Sequence, residues 1–325
     1  MIQIPLNTRK AGSRRHSAIF LRIWFVFFCF LSACTAKNVA ADTIDPIPTF
    51  TESPETTVEV TEVLQTSQAV STIVQPPTPA VCADKKGRIV DIEVPNKILS
   101  YPLKVKVYLP PCYTLHPKKP YPYVIMIHGM LYKYDQWDRV GADEAADELI
   151  SSGEVPPFLI LMPFEEQSTA NPYEDGFGEA LTKSLIPFME ENYPVCAERS
   201  CRAIGGLSRG AGWAIHIGLS EPEYFGEIGA HSLPPFIGDL AAAPRWLAKM
   251  SKNEIPRVYI DIGIGDSGMV QASQFEQILT AYNIPHEWHI NNGEHTEDYW
   301  SAHVKEYMRW YASGWNEPTP PVILN

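Results

Sequence analysis

The stretch Cys201–Leu219, CRAIGGLSRGAGWAIHIGL, constrains this chain more than any other. An apolar run ends in Gly205-Gly206. The pattern G-x-S-x-G follows in Gly206-Leu207-Ser208-Arg209-Gly210, and then small and apolar residues recur at helical spacing (Ala211, Ala214, Ile215, Leu219). A strand that turns sharply into a helix over a single serine has this signature. The serine takes a strained backbone conformation. Strand and helix approach so closely that only glycine fits two residues to either side. The helix that starts there points its first N–H groups and its dipole at the reacting centre.

The rest of the chain reads as the scaffold for that turn. Arg88–Val94 and Leu103–Leu109 alternate as strands and form an antiparallel hairpin. Tyr123–Ile127 and Phe158–Met162 are continuous apolar runs, the mark of strands buried on both faces. Further strands are expected at Glu227–Ala230, Arg257–Ile262 and His286–Ile290. Helices are expected at Ala142–Ser151, Glu179–Asn192, Leu240–Ser251, Gln274–Tyr282 and Glu297–Tyr311. Strands alternating with helices imply an α/β class, with a mostly parallel sheet covered on both faces and reactive residues at the carboxyl ends of the strands.

The first 33 residues read as a targeting segment. Arg9, Lys10, Arg14, Arg15 and Arg22 precede the apolar run Ile23–Leu31, which is short for a membrane span. Leu31-Ser32-Ala33-Cys34 resembles a bacterial lipobox, which implies cleavage before Cys34 and lipidation of that cysteine. A plain secretory signal cut near Ala33 or Ala36, and an uncut anchor, are the alternatives. Residues 34–80, rich in Thr and Pro, read as an extended linker that lifts a catalytic domain at 81–317 off a membrane, and 318–325 as a tail. Subtracting those five basic residues from 26 leaves 21 against 38 acidic, a formal −17 in place of −12. Such a charge disfavours nucleic acid and anionic lipid as partners, leaving the N-terminal lipid as the membrane contact.

Of six cysteines, Cys29 is discarded and Cys34 lipidated in this reading, leaving Cys82, Cys112, Cys196 and Cys201. An even number in an exported chain points to two disulfides. Cys196–Cys201 would close a short loop before the elbow strand, and Cys82–Cys112 would pin the start of the domain to the end of its second strand. Three pairings are open, and a zinc site is the competing use of these thiols.

A serine hydroxyl needs a base, and the base needs an orienting acid. His295 follows the last strand in the polar turn Asn291–His295, with His231, at another strand end, next in rank. Asp266 lies in a glycine-bracketed turn past a buried strand. Asp261, inside that strand, ranks second, because a buried carboxylate there needs a partner of its own, and Asp298 third. Two backbone N–H groups should stabilise the oxyanion: that of Arg209, after the serine, and that of Met130, after the strand ending in His128-Gly129. His128 supports that turn or is an ordinary core histidine. Tyr132, Tyr134, Trp137, Trp213 and Trp300 are candidates to line an acyl pocket, though packing is the commoner role; Trp300 is expected to pack its helix on the sheet.

The segments VIMIHGM, YDQW, IGGLSRGA, IGIGD and GEH followed by Tyr299-Trp300 resemble the esterase D family of α/β-hydrolases. That family includes enterochelin, feruloyl and acetylxylan esterases, S-formylglutathione hydrolase and mycolyltransferases. The resemblance spans residues 85–313. It implies a sheet of about eight strands with little or no lid, Ser208, Asp266 and His295 as a catalytic triad, Met130 and Arg209 as oxyanion donors, and no cofactor or metal. The expectation is a surface-tethered serine esterase acting on a small-molecule or polymer-linked ester. An acyltransferase using the same triad, or a binding protein that has lost catalysis, are the rivals. The lipobox and Thr/Pro stalk depart from the family pattern and argue against cytosolic thioester detoxification.

Overall fold

The computed structural model describes residues 82–315. The targeting segment, Cys34, the linker and the tail lie outside the described residues.

Eight strands form one sheet: β1 (Arg88–Val94), β2 (Leu103–Leu109), β3 (Tyr123–Ile127), β4 (Leu159–Pro163), β5 (Arg202–Leu207), β6 (Glu227–His231), β7 (Arg257–Gly263) and β8 (His286–Asn291). Their order is β1-β2-β4-β3-β5-β6-β7-β8. β1 pairs antiparallel with β2, Arg88 opposite Leu109, and β2 pairs antiparallel with β4. Every other pairing is parallel. The central strands are buried along their length because helices cover both faces.

Alternate side chains feed two cores. Tyr123, Ile125 and Ile127 of β3 join the core beneath α3 (Phe177–Ala180), α4 (Ile186–Asn192), α5 (Arg209–Ser220), α6 (Asp239–Lys249) and α7 (Met269–Ala281). Val124 and Met126 of the same strand face the core of α1 (Gln136–Arg139), α2 (Ala142–Ser151) and α8 (Glu297–Ser313).

The single helix expected at Glu179–Asn192 is instead interrupted: a wide π-turn over Leu181–Leu185 separates α3 from α4. Pro187 in the first turn of α4 explains this, since it has no N–H to donate to the preceding turn and its ring crowds the carbonyl there. α7 starts at Met269, five residues earlier than expected, directly after the Asp266 turn.

Two disulfides are present, Cys82–Cys112 and Cys196–Cys201. The first ties the start of the described chain to the residues after β2, and the second closes the loop leading into β5. Among the described residues, the groups with metal-ligand spacing are Cys82/Asp84/Cys112 and Cys196/Glu198/Cys201. Both pairs of thiols are consumed in these bonds, so neither group offers thiolates to zinc. No helix among the described residues is long and apolar enough to cross a membrane.

Candidate active site

The turn at Ser208 is built by steric exclusion. Ser208 sits at φ 54° and ψ −123°, a region that L-residues rarely enter. A Cβ on Gly206 would lie 2.2 Å from the carbonyl carbon of Gly210, and one on Gly210 would lie 2.1 Å from the Ile127 oxygen. Both glycines are therefore obligatory for this approach of β5, α5 and β3. The Ser208 N–H donates to the His231 carbonyl, at 2.9 Å, which locks the apex to the neighbouring strand end.

Three strand ends deliver three side chains to one point. His295 Nε2 lies 2.8 Å from Ser208 Oγ, and His295 Nδ1 lies 2.8 Å from Asp266 Oδ2. An ionised carboxylate only accepts, so Nδ1 carries the ring proton and Nε2 is left to accept from the serine hydroxyl. The Asp266 side chain is buried, whereas that of His295 is about one-third exposed. Burial alone pushes the Asp266 pKa up. Hydrogen bonds from His295, the Gly268 N–H and Ser232 outweigh this and hold the carboxyl below its ordinary range.

A cavity of about 200 Å³ opens over the serine. Gly129, Met130, Tyr132, Gln136, Leu207 and Trp300 wall it, with Ser208, His295 and Thr296. Trp300 borders this space with its ring edge-on to His295 (centroids 5.2 Å apart), so it does more than pack α8 to the sheet. Tyr134 instead packs on Phe164. Trp137 donates from the core to the Ile127 carbonyl, and buried Trp213 donates to Glu165.

The lower-ranked residues have other partners. His231 Nδ1 donates to Asp261 Oδ1 at 2.7 Å, and Tyr311 donates to His231 Nε2. Tyr299 and Tyr307 both donate to Asp261 Oδ2. The group is fully buried and pins α8 to the sheet. Asp261 thus has the partner that its burial requires. Asp298 is exposed at the start of α8.

Two supports were not legible as such. Arg209 turns its guanidinium into a buried ion pair with Glu165, Nε lying 2.8 Å from Oε1 and 2.9 Å from Oε2. The Ala170 carbonyl also accepts from this guanidinium. The acidic pair Glu165-Glu166 directly after an apolar strand was the signal. Gln136 Oε1 accepts from the Gly129 N–H at 2.8 Å and fixes the turn that carries Met130. His128 is a core histidine: its Nε2 accepts from the Glu165 N–H, so its Nδ1 donates to the Gly129 carbonyl. Burial drives its pKa down to about 4.

Fold and site together define an α/β-hydrolase-superfamily domain of the serine-hydrolase type. The chain belongs to the family described as "Putative esterase", whose model matches residues 97–311. A curated relative, the endo-1,4-beta-xylanase/feruloyl esterase of Xylanibacter ruminicola, is 29% identical over 153 residues. The match covers 45% of this chain and 20% of the relative, so the chain spans about one fifth of that protein. Among solved structures, a feruloyl esterase module from Clostridium thermocellum bound to sinapinate superposes with a TM-score of 0.61. It is 18% identical, over 75% of this chain and 93% of that one. FphF, a fluorophosphonate-binding serine hydrolase of Staphylococcus aureus, gives a TM-score of 0.60 at 17% identity, over 71% of this chain and all of that one. At these identities the superpositions carry the fold.

Proposed function

We propose that this protein is a serine esterase that cleaves carboxylic esters through an acyl-enzyme, with Ser208 as nucleophile, His295 as base and Asp266 as orienting acid. One observation carries the reading: the continuous hydrogen-bonded relay Ser208–His295–Asp266 at the mouth of a cavity. Ser208 Oγ attacks the ester carbonyl while His295 Nε2 takes its proton. Asp266 stabilises the imidazolium that forms. The backbone N–H groups of Met130 and Arg209 hold the oxyanion. Collapse breaks the ester C–O bond, and the leaving alcohol takes the proton from His295. Water, deprotonated by the same nitrogen, then releases the acid and regenerates the serine.

The substrate reading is an acyl or hydroxycinnamoyl ester on a polymer or other bulky alcohol. A small, largely apolar cavity beside Tyr132 and Trp300 suits a short or flat acyl group, and the one curated relative above, matched over a fifth of its length, is named an endo-1,4-beta-xylanase/feruloyl esterase. The two disulfides and the N-terminal pattern support export, with anchoring through lipidated Cys34. Hydrolysis of p-nitrophenyl acetate and methyl ferulate, beside Ser208→Ala, tests the activity. Turnover that survives in the variant would overturn it. Membrane fractionation of Cys34→Ala tests the address, and a variant that stays in the membrane would contradict lipidation there.

A further inference from the structure

Gln136 stands in the wall of the cavity over Ser208 and is fully buried. The neighbouring Trp137 donates to the Ile127 carbonyl at 3.0 Å and fastens α1 to the end of β3, so that task does not fall to Gln136. Both ends of its buried amide are engaged, as burial requires. Gln136 Oε1 accepts from the Gly129 N–H at 2.8 Å, and Gln136 Nε2 donates to Glu297 Oε1 at 3.0 Å. The amide fits only one way round. A backbone N–H only donates, so the oxygen faces Gly129 and the NH2 faces the carboxylate.

Each end meets a turn that serves Ser208. Gly129 supplies the carbonyl of the peptide unit whose N–H belongs to Met130. That carbonyl accepts from His128 Nδ1 at 2.8 Å and from the Tyr132 N–H at 3.2 Å. With its N–H held by Gln136 as well, Gly129 cannot rotate freely, and the direction of the Met130 N–H is set. The turn lies against the nucleophile: a Cβ built on Gly129 would come 3.5 Å from Ser208 Cβ. At the other end, Glu297 opens α8 directly after the N-cap Thr296, which itself follows His295. Arg139 Nη2 lies 2.6 Å from the same Glu297 oxygen and holds it toward α1. One amide thus spans the turn of the expected oxyanion donor and the turn of the base.

We propose that Gln136 is a positioning residue for catalysis, whose amide joins these two turns so that the Met130 N–H and His295 Nε2 keep a fixed relation to Ser208 Oγ. This rests on the esterase reading above. The tetrahedral intermediate needs both groups at once, and a displacement of about 1 Å in either costs on the order of 100-fold in rate. The polar atoms of Gln136 are taken up by Gly129 and Glu297, so its loss falls on the tetrahedral states rather than on substrate binding.

The test uses the full chain, with rates normalised to serines titrated by a fluorophosphonate, so that misfolded protein does not count. Gln136→Met keeps the volume and removes both hydrogen bonds. Glu297→Ala, at a side chain about one-third exposed, removes only the link to α8 and folds even if Gln136→Met does not. The expected fall in kcat is roughly tenfold or more for Gln136→Met and about threefold or more for Glu297→Ala, with KM within about twofold in each. Glu297→Gln keeps an oxygen for the amide to donate to and should lose less than Glu297→Ala. Affinity for a trifluoromethyl ketone, which adds to the serine as a tetrahedral oxyanion, should fall in step with kcat. In Gln136→Met the link is already cut, so adding Glu297→Ala should lower kcat no further. Wild-type kcat in either single variant, losses that multiply in the double variant, or an unchanged ketone affinity while kcat falls would overturn the proposal. A wild-type enzyme without ester turnover or fluorophosphonate labelling would instead overturn the esterase reading on which it rests.

Discussion

His295 Nε2 approaches Ser208 Oγ to 2.8 Å although 87 residues separate them in the chain. The contact depends on three loops at the carboxyl ends of β5, β7 and β8, and it rests on supports that can be removed one at a time.

The first support is the absence of side chains at the elbow. Gly210→Ala places a methyl group 2.1 Å from a backbone oxygen that cannot move aside. We expect an insoluble or inactive protein. Gly153→Ala is the control: Gly153 also has a positive φ, 75°, but nothing lies within 4 Å of the added carbon. That change should cost about 1–2 kcal/mol in chemical denaturation and leave kcat intact.

The second is the buried pair Glu165–Arg209. Glu165→Ala removes the nearer carboxylate and leaves the Arg209 guanidinium with the Ala170 carbonyl and the Asp175 carboxylate at 3.6 Å, and should cost about 3 kcal/mol, the low end for breaking a buried pair. Turnover should fall as well, since Arg209 begins α5 directly after Ser208 and its N–H is a proposed oxyanion donor. Urea denaturation and steady-state kinetics measure both. A variant as stable as wild type would show the pair to be dispensable.

The third is His128, whose burial lowers its pKa from 6.5 to about 4. Above pH 6.5 the ring is neutral in both folded and unfolded chains, and its contribution is complete. Between pH 6.5 and 4 the unfolded chain binds a proton that the native state refuses. Stability is therefore lost as pH falls, by about 3 kcal/mol across this window. His128→Gln keeps an acceptor for the Glu165 N–H but does not titrate. Urea midpoints at pH 7 and 4.5 should fall less for the variant than for wild type; equal falls would contradict the assignment.

The sequence made the elbow legible because its constraint is local: strand, glycines, serine and helix are consecutive. The buried strands were legible for the same reason, as short unbroken apolar runs. Asp266 and His295 stood out because polar residues in glycine-containing turns at strand ends have few structural reasons to be there. The pairing of partners was not local. Three histidine–aspartate pairs exist among the described residues, His216–Asp239, His231–Asp261 and His295–Asp266. Only the register of β6, β7 and β8 decides that His231 looks into the α8 core while His295 reaches the serine. The insertion of β4 between β2 and β3 is likewise a matter of crossover connections, which composition does not encode. The π-turn before Pro187 could have been anticipated from the proline.

Activation of Ser208 as a nucleophile is the property on which the proposed activity stands. Its most direct measurement is covalent labelling of the intact chain by a fluorophosphonate, read by mass spectrometry, in wild type, Ser208→Ala and His295→Ala. One adduct is expected, on Ser208, absent in Ser208→Ala and slowed by on the order of 1,000-fold or more in His295→Ala. An unlabelled wild-type protein that is folded, or an adduct at the same rate without His295, would contradict it.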